Sequence, residues 1–188
     1  MNHAGSESGA ADVELLARRA AAGDQAALHD LLTAIQPRVM RLCARILPIP
    51  QDAEEACQDA LLKVATRIGQ FEGRSRFTTW LHTVTSNQAR QTYRALKRRA
   101  AEQPADKLPA NPDPRTTSVI AGSRLDLLEA LEALERKRPE LVEPLVLRDV
   151  AGLDYAEIAR QLGSPVGTVK SRVHDARKLI RPLLTMRD

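Results

Sequence analysis

Near its end the chain carries the stretch that decides the fold, DYAEIARQLGSPVGTVKSRVHDARKLI at residues 154–180. Residues Asp154–Glu157 have the D-x-x-E pattern of a capping box. In this motif the side chain of each acidic residue accepts a hydrogen bond from the backbone N–H of the other. Gly163 is suited to end this first helix, because glycine adopts the left-handed conformation of a helix C-terminus without strain. Ser164 and Pro165 then supply an N-cap and a first-turn proline for a second helix. Two short helices joined by a tight glycine turn predict a helix-turn-helix.

The second of these helices combines an apolar stripe with a polar, basic face. At 100° per residue, one stripe is predicted to face the core: Val169, Val173, Ala176 and Ile180. The opposite face and its two flanks contain Gly167, Thr168, Lys170, Ser171, Arg172, His174, Asp175, Arg177 and Lys178. Such a face suits the major groove of DNA, where outer side chains meet base edges and flanking cations meet phosphates. The carboxylate of Asp175 fits this reading if it accepts from a cytosine amino group or pairs with a neighbour.

The positive charge of the chain is concentrated in two islands, although the formal net charge is only +4. Residues 71–100 contain seven basic and one acidic side chain, and residues 164–188 contain six basic and two acidic ones. The segments outside the two islands are acidic overall. One basic island alone is typical of a solvated surface. Two islands, each at the end of an otherwise acidic half of the chain, indicate two contacts with one polyanion.

A proline-rich segment, AEQPADKLPANPDPRTTS at residues 101–118, divides the chain. It has four prolines and almost no large apolar residue, and proline removes a backbone donor that a helix needs. We therefore expect a disordered N-terminus at 1–11, a first domain at 12–100, a flexible linker at 101–118 and a second domain at 119–188. A flexible linker would leave the two domains uncorrelated in the free protein.

The composition predicts an all-α protein with two small helical domains, because aromatic residues make up only 3% and β-branched runs are few. In the first domain, amphipathic helices are predicted from a cap at Asp12, between Asp24 and Pro37, from Val39 to Pro48, from a cap at Asp52, and over 76–99. In the second domain, helices are predicted near 122–136, 140–149, 154–162 and 165–184.

The first basic island also contains four of the five aromatic residues, namely Phe71, Phe77, Trp80 and Tyr93. Aromatic rings among arginines suit unpaired bases, which stack on rings while cations hold the backbone. The helical spacing of Phe77 and Trp80 also fits a buried core, and we favour the core for Trp80. The polar loop Glu72–Ser75 and the amide of Asn87 are better candidates for base contacts.

Four blocks of the sequence together resemble bacterial sigma factors of the extracytoplasmic-function type. They are LLARRAAAGDQAALHDLL (15–32), DAEEACQDALLKV (52–64), FEGRSRFTTWLHTVTSNQAR (71–90) and YAEIARQLGSPVGTVKSRVHDARKLI (155–180). The resemblance covers about residues 12–186, in the order and spacing of that family. It implies an alternative sigma factor that binds core RNA polymerase, at its clamp and flap regions, and directs it to promoter DNA.

The resemblance also implies which residues make each contact. The face that would bind the polymerase core is Asp52, Glu55, Gln58, Asp59 and Leu62. The first domain would melt and read the −10 element with Phe71, Gly73, Arg74, Ser75, Asn87, Arg90, Arg94 and Lys97. The second would read the −35 element as duplex with Thr168, Lys170, Ser171, Arg172, His174, Asp175, Arg177 and Lys178. An anti-sigma factor is a further expected partner. Asp175 departs from the basic residue often found at its position, which leaves the −35 sequence open.

A stand-alone helix-turn-helix regulator is the alternative, but it leaves the basic-aromatic island and the acidic helix after Asp52 unexplained. An enzyme is not expected: the four histidines are scattered, and the chain has no HExxH, glycine-rich phosphate loop or GxSxG motif. We accordingly predict no catalytic residue, no metal site and no cofactor.

The same residues predict a cytoplasmic protein. No apolar stretch approaches the ~18–20 residues of a membrane span, and the polar start lacks the basic and apolar regions of a secretory signal. We therefore expect no membrane contact of its own. Cys43 and Cys57 lie on neighbouring predicted helices; we favour two small buried residues over a redox switch.

Overall fold

Four α-helices form the first half of the computed structural model, which describes residues 4–102 and 119–185, with side chains over 12–102 and 124–184. They are α1 (Ala4–Ala21), α2 (Gln25–Ile46), α3 (Pro50–Arg67) and α4 (Phe77–Glu102). A 3-10 turn at Ile68–Gln70 follows α3, and a loop then leads into α4. These helices surround the first apolar core, whose largest fully buried side chains include Phe77, Leu31 and Ile35.

The second half contains another four helices: α5 (Val119–Lys137), α6 (Val142–Leu145), α7 (Tyr155–Leu162) and α8 (Val166–Thr185). A 3-10 turn at Pro139–Leu141 precedes α6, and a π-helical turn at Val146–Val150 follows it. No strand occurs in residues 4–102 or 119–185. The predicted all-α class with two helical units is confirmed.

The helix-turn-helix is built as its sequence predicts. The Glu157 N–H donates to Asp154 Oδ1 at 2.7 Å, and the Asp154 N–H donates to Glu157 Oε2 at 3.3 Å, which completes the capping box. Gly163 ends α7 in the left-handed region at φ +58°. The Ser164 hydroxyl, expected to cap α8, instead donates back to the Leu162 carbonyl at 3.3 Å. The following helix begins at Val166.

The predicted break at Pro37 is wrong, because α2 runs through it as one helix of 22 residues. Proline lacks the N–H that would bond the carbonyl four residues earlier, which costs the helix one hydrogen bond. The apolar stripe nevertheless continues on both sides of the proline: Leu31, Ile35, Val39 and Leu42 are all buried. Burial of this continuous stripe outweighs the lost bond.

Two predicted helix starts are also corrected. Helix α1 begins at Ala4, so Asp12 lies within it, and the segment expected to be disordered, 1–11, overlaps the helix from Ala4 onward. Helix α3 begins with Pro50 after Ile49, so Asp52 lies in its first turn and is not its cap. Proline is favoured at a first helical position, because its fixed φ matches the helix and its missing N–H has no partner there. Residues 1–3 lie outside the described residues.

The end of α4 extends two residues into the predicted linker, to Glu102. The rest of that segment, 103–118, lies outside the described residues. The two helical units are in contact, in contrast to the uncorrelated domains that we expected. Leu128 of α5 packs in the core of the first unit, and Val150 packs against both cores. The Arg45 guanidinium of α2 also donates to the Val150 carbonyl at 3.2 Å.

A hydrogen bond between exposed Arg38 and buried His82 links α2 to α4 and was not expected from the sequence. Arg38 Nη2 donates to His82 Nε2 at 2.9 Å, and His82 is 8% exposed. Burial, together with the nearby charges of Arg38 and Arg45, lowers the pKa of His82 to about 4. The imidazole is therefore neutral at pH 7, with Nε2 as the acceptor.

This buried histidine predicts a pH-dependent stability of the first domain. Its folded pKa lies below the ordinary value of 6.5, so its contribution is present above pH 6.5 and is lost as the pH falls toward 4. Between pH 7 and pH 5 the loss amounts to about 2 kcal/mol of unfolding free energy. Urea unfolding followed by Trp80 fluorescence should show a smaller loss for His82→Gln than for the wild type. The exposed control His29→Gln should keep the wild-type dependence, and an equal loss in all three proteins would contradict the assignment.

Candidate nucleic-acid interface

Helix α8 presents a polar face to solvent because its apolar stripe is buried against the rest of the second unit. Val169, Val173 and Ala176 are 0% exposed. The predicted outer side chains are exposed, and the two on one flank are half-buried. The exposed ones are Lys170, Ser171, His174, Asp175, Arg177 and Lys178, and the half-buried ones are Thr168 and Arg172.

Two basic groups of this interface have partners within their own unit. Arg177 makes a two-pronged ion pair with Asp149, at 2.9 and 2.6 Å, and this pair raises the pKa of Arg177. The Lys170 ammonium lies 5.8 Å from the centre of the Tyr155 ring. Both contacts tie the outer face of α8 to neighbouring elements. Asp149 could not be identified as this partner from sequence, because it lies in the π-helical turn 28 residues before Arg177.

The loop between α3 and α4 is held by an aromatic cluster beneath it. The Phe71 ring meets the Phe77 ring edge-on at 5.5 Å, and the Trp80 ring lies 5.9 and 5.6 Å from these two. Phe71 is 8% exposed, so it supports the loop from inside and its ring is not available to a base in this conformation. Trp80 is half-buried, consistent with the core reading.

Above this cluster lies a cavity of about 210 Å³. It is lined by Gln70, Phe71, Glu72, Gly73, Arg74, Ser75, Trp80 and, from the second unit, Gln161. Gly73 has φ +69°, a conformation that lets the loop turn sharply. Arg74 forms an ion pair with Glu72. Four of the residues predicted for the −10 element, Phe71, Gly73, Arg74 and Ser75, therefore line one pocket.

A long-range cap fixes where α4 begins. The Phe77 N–H at the first turn donates to Glu14 Oε2 of α1 at 2.9 Å. A carboxylate is favoured at a helix N-terminus, because it satisfies a free N–H and faces the positive end of the helix dipole. Glu14 was missed by sequence reasoning, since it lies 63 residues from its partner.

The basic side chains of α4 form a ridge, defined by Arg90, Arg94 and Lys97. Arg90 is 8% exposed, donates to the Asn87 side-chain oxygen, and has its pKa lowered by burial. Arg94 is half-buried and Lys97 is exposed. The predicted residues Asn87, Arg90, Arg94 and Lys97 thus lie on one helix, but all except Asn87 are paired with acidic residues of α5.

On α3, the predicted polymerase-binding residues differ in exposure. Glu55 and Gln58 are exposed, and Leu62, at 64%, is the most exposed large apolar side chain within residues 12–102 and 124–184. Asp52 and Asp59 are half-buried, and burial together with Glu55 raises the pKa of Asp52. Asp59, expected on the open face, accepts from Gln88 Nε2 at 2.8 Å and so joins α3 to α4.

Cys43 and Cys57 are free and buried, at 0% and 5% exposure. Burial raises the pKa of the Cys43 thiol to about 12, and burial also raises the pKa of Cys57. Both thiols are therefore protonated at neutral pH, whereas the reactive form of cysteine is the thiolate. This agrees with the reading of the two residues as small parts of the core.

Two family models match the two helical units in order. The model for sigma-70 region 2 matches residues 31–99, and the model for sigma-70 region 4 matches residues 124–180. Over 178 residues the chain is 30% identical to the ECF RNA polymerase sigma-E factor of Escherichia coli K12, covering 89% of this chain and 91% of the relative. The chain belongs to the ECF sigma factors. It is therefore an alternative sigma factor, a protein of transcription initiation.

Other relatives agree with this assignment. The chain is 30% identical over 181 residues to the RNA polymerase sigma-H factor of Pseudomonas aeruginosa, covering 90% of this chain and 94% of the relative. It is 34% identical over 172 residues to the ECF RNA polymerase sigma factor SigE of Mycolicibacterium smegmatis; there the match covers 87% of this chain but 65% of that longer relative.

Among solved structures, the fold of this sigma factor is similar to that of CnrH in complex with the cytosolic domain of CnrY. The TM-score is 0.56 at 20% identity, and the match covers 94% of this chain and 99% of that one. At this identity the likeness concerns the fold alone. Over residues 4–102 and 119–185, none of the helices has the length and apolar character that crossing a membrane requires.

Proposed function

We propose that this ECF sigma factor binds core RNA polymerase through α3 and reads promoter DNA at two separate elements. The proposed domains are 12–100 for polymerase binding and the −10 element, and 119–188 for the −35 element. The observation that carries the proposal is the outer face of α8, which is polar, basic and exposed on a helix whose opposite stripe is fully buried. A helix held in this way can enter a major groove without exposing its core.

The −35 element would be read as duplex by the outer side chains of α8. Lys170, Ser171 and His174 are exposed and lie where base edges would meet the helix. Thr168 and Arg172 on one flank, and Lys178 further along the outer face, would contact phosphates. Arg177 joins them if phosphate replaces Asp149 as its partner. Asp175 is exposed and free to accept from a cytosine amino group.

The −10 element would be read as a separated strand by the first domain. The pocket of Gly73, Arg74 and Ser75 over Trp80 is large enough for one base, at about 210 Å³. The amide of Asn87 adds a donor and an acceptor on α4. The basic ridge would then hold the phosphates of the strand.

The polymerase core would meet the exposed side of α3, where Glu55, Gln58 and Leu62 project together. An exposed leucine with polar side chains around it suits a protein interface, which has an apolar centre and a polar rim. We propose the clamp as the partner of this face and the flap as that of the second domain. The remaining proposals are an anti-sigma factor as a regulator, a cytoplasmic location and a role without enzymatic activity.

Removal of the α3 contacts should abolish holoenzyme assembly. The double variant Gln58→Ala with Leu62→Ala removes two exposed side chains and leaves the Asp59–Gln88 bond in place, so the fold should be unchanged. Pull-down with core polymerase should recover at least tenfold less of this variant than of the wild type. Glu54→Ala, an exposed change on the same helix, serves as the control. Equal recovery of the wild type and the double variant would refute the assignment of this face.

Loss of one outer cation on α8 should weaken recognition of the upstream element. Lys170→Ala should reduce holoenzyme binding to a promoter duplex about tenfold, within the ~1–3 kcal/mol of one base or phosphate contact. Lys137→Ala removes the same charge from the exposed end of α5 and is the matched control. Footprinting of the holoenzyme gives the affinities, and equal losses in the two variants would mean that α8 makes no special contact.

Loss of the α4 amide should impair melting while sparing the upstream contact. Asn87→Ala should leave the upstream footprint unchanged but reduce the permanganate reactivity of unpaired thymines severalfold, because the flipped base loses a partner. Gln91→Ala, which removes an amide one turn further along α4, is the control. Normal opening by the Asn87 variant would exclude this residue from the base pocket.

A further inference from the structure

The cations of the basic ridge already have carboxylate partners from the second domain. Lys97 Nζ lies 2.7 Å from Glu132 Oε2. Arg94 Nη1 lies 3.2 Å from Glu135 Oε2, and Arg90 Nη1 lies 3.5 Å from the same oxygen. Helix α5 therefore places two carboxylates where the proposed function would place the phosphates of the −10 strand.

The loop of the first domain is covered by the same neighbour. The Ser75 hydroxyl donates to Gln161 Oε1 of α7, and Gln161 lines the pocket over Trp80. Arg76, just before α4, places its Nη1 3.8 Å from Oε1 of Glu157, the residue that completes the capping box of α7. The apolar side chain of Leu128, packed in the first core, completes the contact. The second domain thus lies over both parts of the proposed −10 site.

The proposed −35 site is not covered in this arrangement. The outer side chains of α8, Lys170, Ser171 and His174 among them, are exposed. The contact uses α5 and α7, so the domain turns one side toward the first domain and leaves the recognition helix in solvent. The second domain therefore covers the proposed −10 site and leaves the proposed −35 site exposed.

We propose that the second domain masks the −10 site of the free protein, with Glu132 and Glu135 occupying the cations that later hold DNA. This inference rests on the proposed function of the ridge and loop. In the closed state the protein contacts duplex through α8 alone. Separation of the domains on core polymerase would release the ridge and the loop together.

The nature of the contacts explains why such a mask could open. The ion pairs are partly exposed to solvent, and pairs of this kind contribute little individually and are weakened by salt. A partner that holds the two domains apart, or a phosphate backbone that offers the same charge, would replace them. High salt should therefore favour the open state.

Trp80 is the single tryptophan of the chain and reports on the closure directly. It shares its pocket with Gln161 of the second domain, so opening would expose its ring to solvent. Acrylamide is uncharged and quenches tryptophan according to exposure. The quenching constant of the free wild-type protein should rise severalfold between 50 mM and 500 mM sodium chloride, and the radius of gyration from X-ray scattering should increase with it.

The double variant Glu132→Gln with Glu135→Gln should be open already at 50 mM salt. The amides keep the shape of the side chains and remove both charges. The matched control, Asp30→Asn with Glu140→Gln, also removes two charges. Asp30 is an exposed residue of α2, and Glu140 pairs with Arg138 of its own domain. The control should stay closed at 50 mM salt.

A second readout tests whether closure masks DNA binding. Free E132Q/E135Q should bind a fluorescent single-stranded oligodeoxythymidine of twelve nucleotides at least fivefold more tightly than the control, which has the same net charge. If quenching and radius of gyration are equal in the wild type, variant and control at all salt concentrations, the closed contact is refuted. If the variant opens but binds the oligonucleotide no better than the control, the contact exists and the mask is refuted.

These outcomes are separable from failure of the proposed function. Promoter-dependent transcription by wild-type holoenzyme tests the function without reference to the closed state. The quenching and scattering results depend on the contact alone. A normally active holoenzyme with no salt-dependent opening of the free protein would overturn the mask and leave the proposed function intact.

Discussion

The burial of one apolar stripe on α8 is the constraint on which the second domain depends. Val169, Val173 and Ala176 are fully buried, and a helix can turn only one side toward a core. Their burial fixes the rotation of α8 about its axis, and with it the direction of every outward side chain. The capping box of α7 and the left-handed Gly163 then set the angle at which α8 leaves the turn. Core packing therefore determines which side chains of α8 are available to contact DNA.

In the first domain the candidate site is a loop, and a loop is harder to hold in one conformation than a helix is. A loop has no periodic packing of its own and is positioned by what lies beneath it. Here the Phe71, Phe77 and Trp80 rings form the base of the pocket, and Glu14 caps the helix that follows. Both anchors are provided by the core and by α1. The polar residues of the loop therefore lie on the side away from the core, where they line the pocket and meet Gln161 of the second domain.

Most local features of this molecule could be predicted from sequence, although the caps expected at Asp12 and Asp52 were wrong, and the long-range features could not. The capping box, the glycine turn and the stripe of α8 depend on residues within one or two turns of each other, so spacing alone identified them. The continuity of α2 through Pro37 depends on packing against other helices, which overrides a local rule. The partners of Phe77 and Lys97 lie 63 and 35 residues away, and no periodicity connects them. Charge counting located the basic ridge but gave no sign of the carboxylates that face it.

Long-range contacts between charged groups also affect how one chain can carry two DNA sites. Each basic island attracts any nearby anion, and a chain with acidic segments carries competing anions of its own. A carboxylate and a phosphate oxygen accept the same bonds from arginine and lysine. An acidic helix tethered to the same chain is therefore always present at a high effective concentration, whereas DNA has to reach the ridge by diffusion. Under this competition the cations of the ridge stay paired with the carboxylates of α5 until another partner separates the domains. Specific recognition of the −10 element then depends on assembly with that partner.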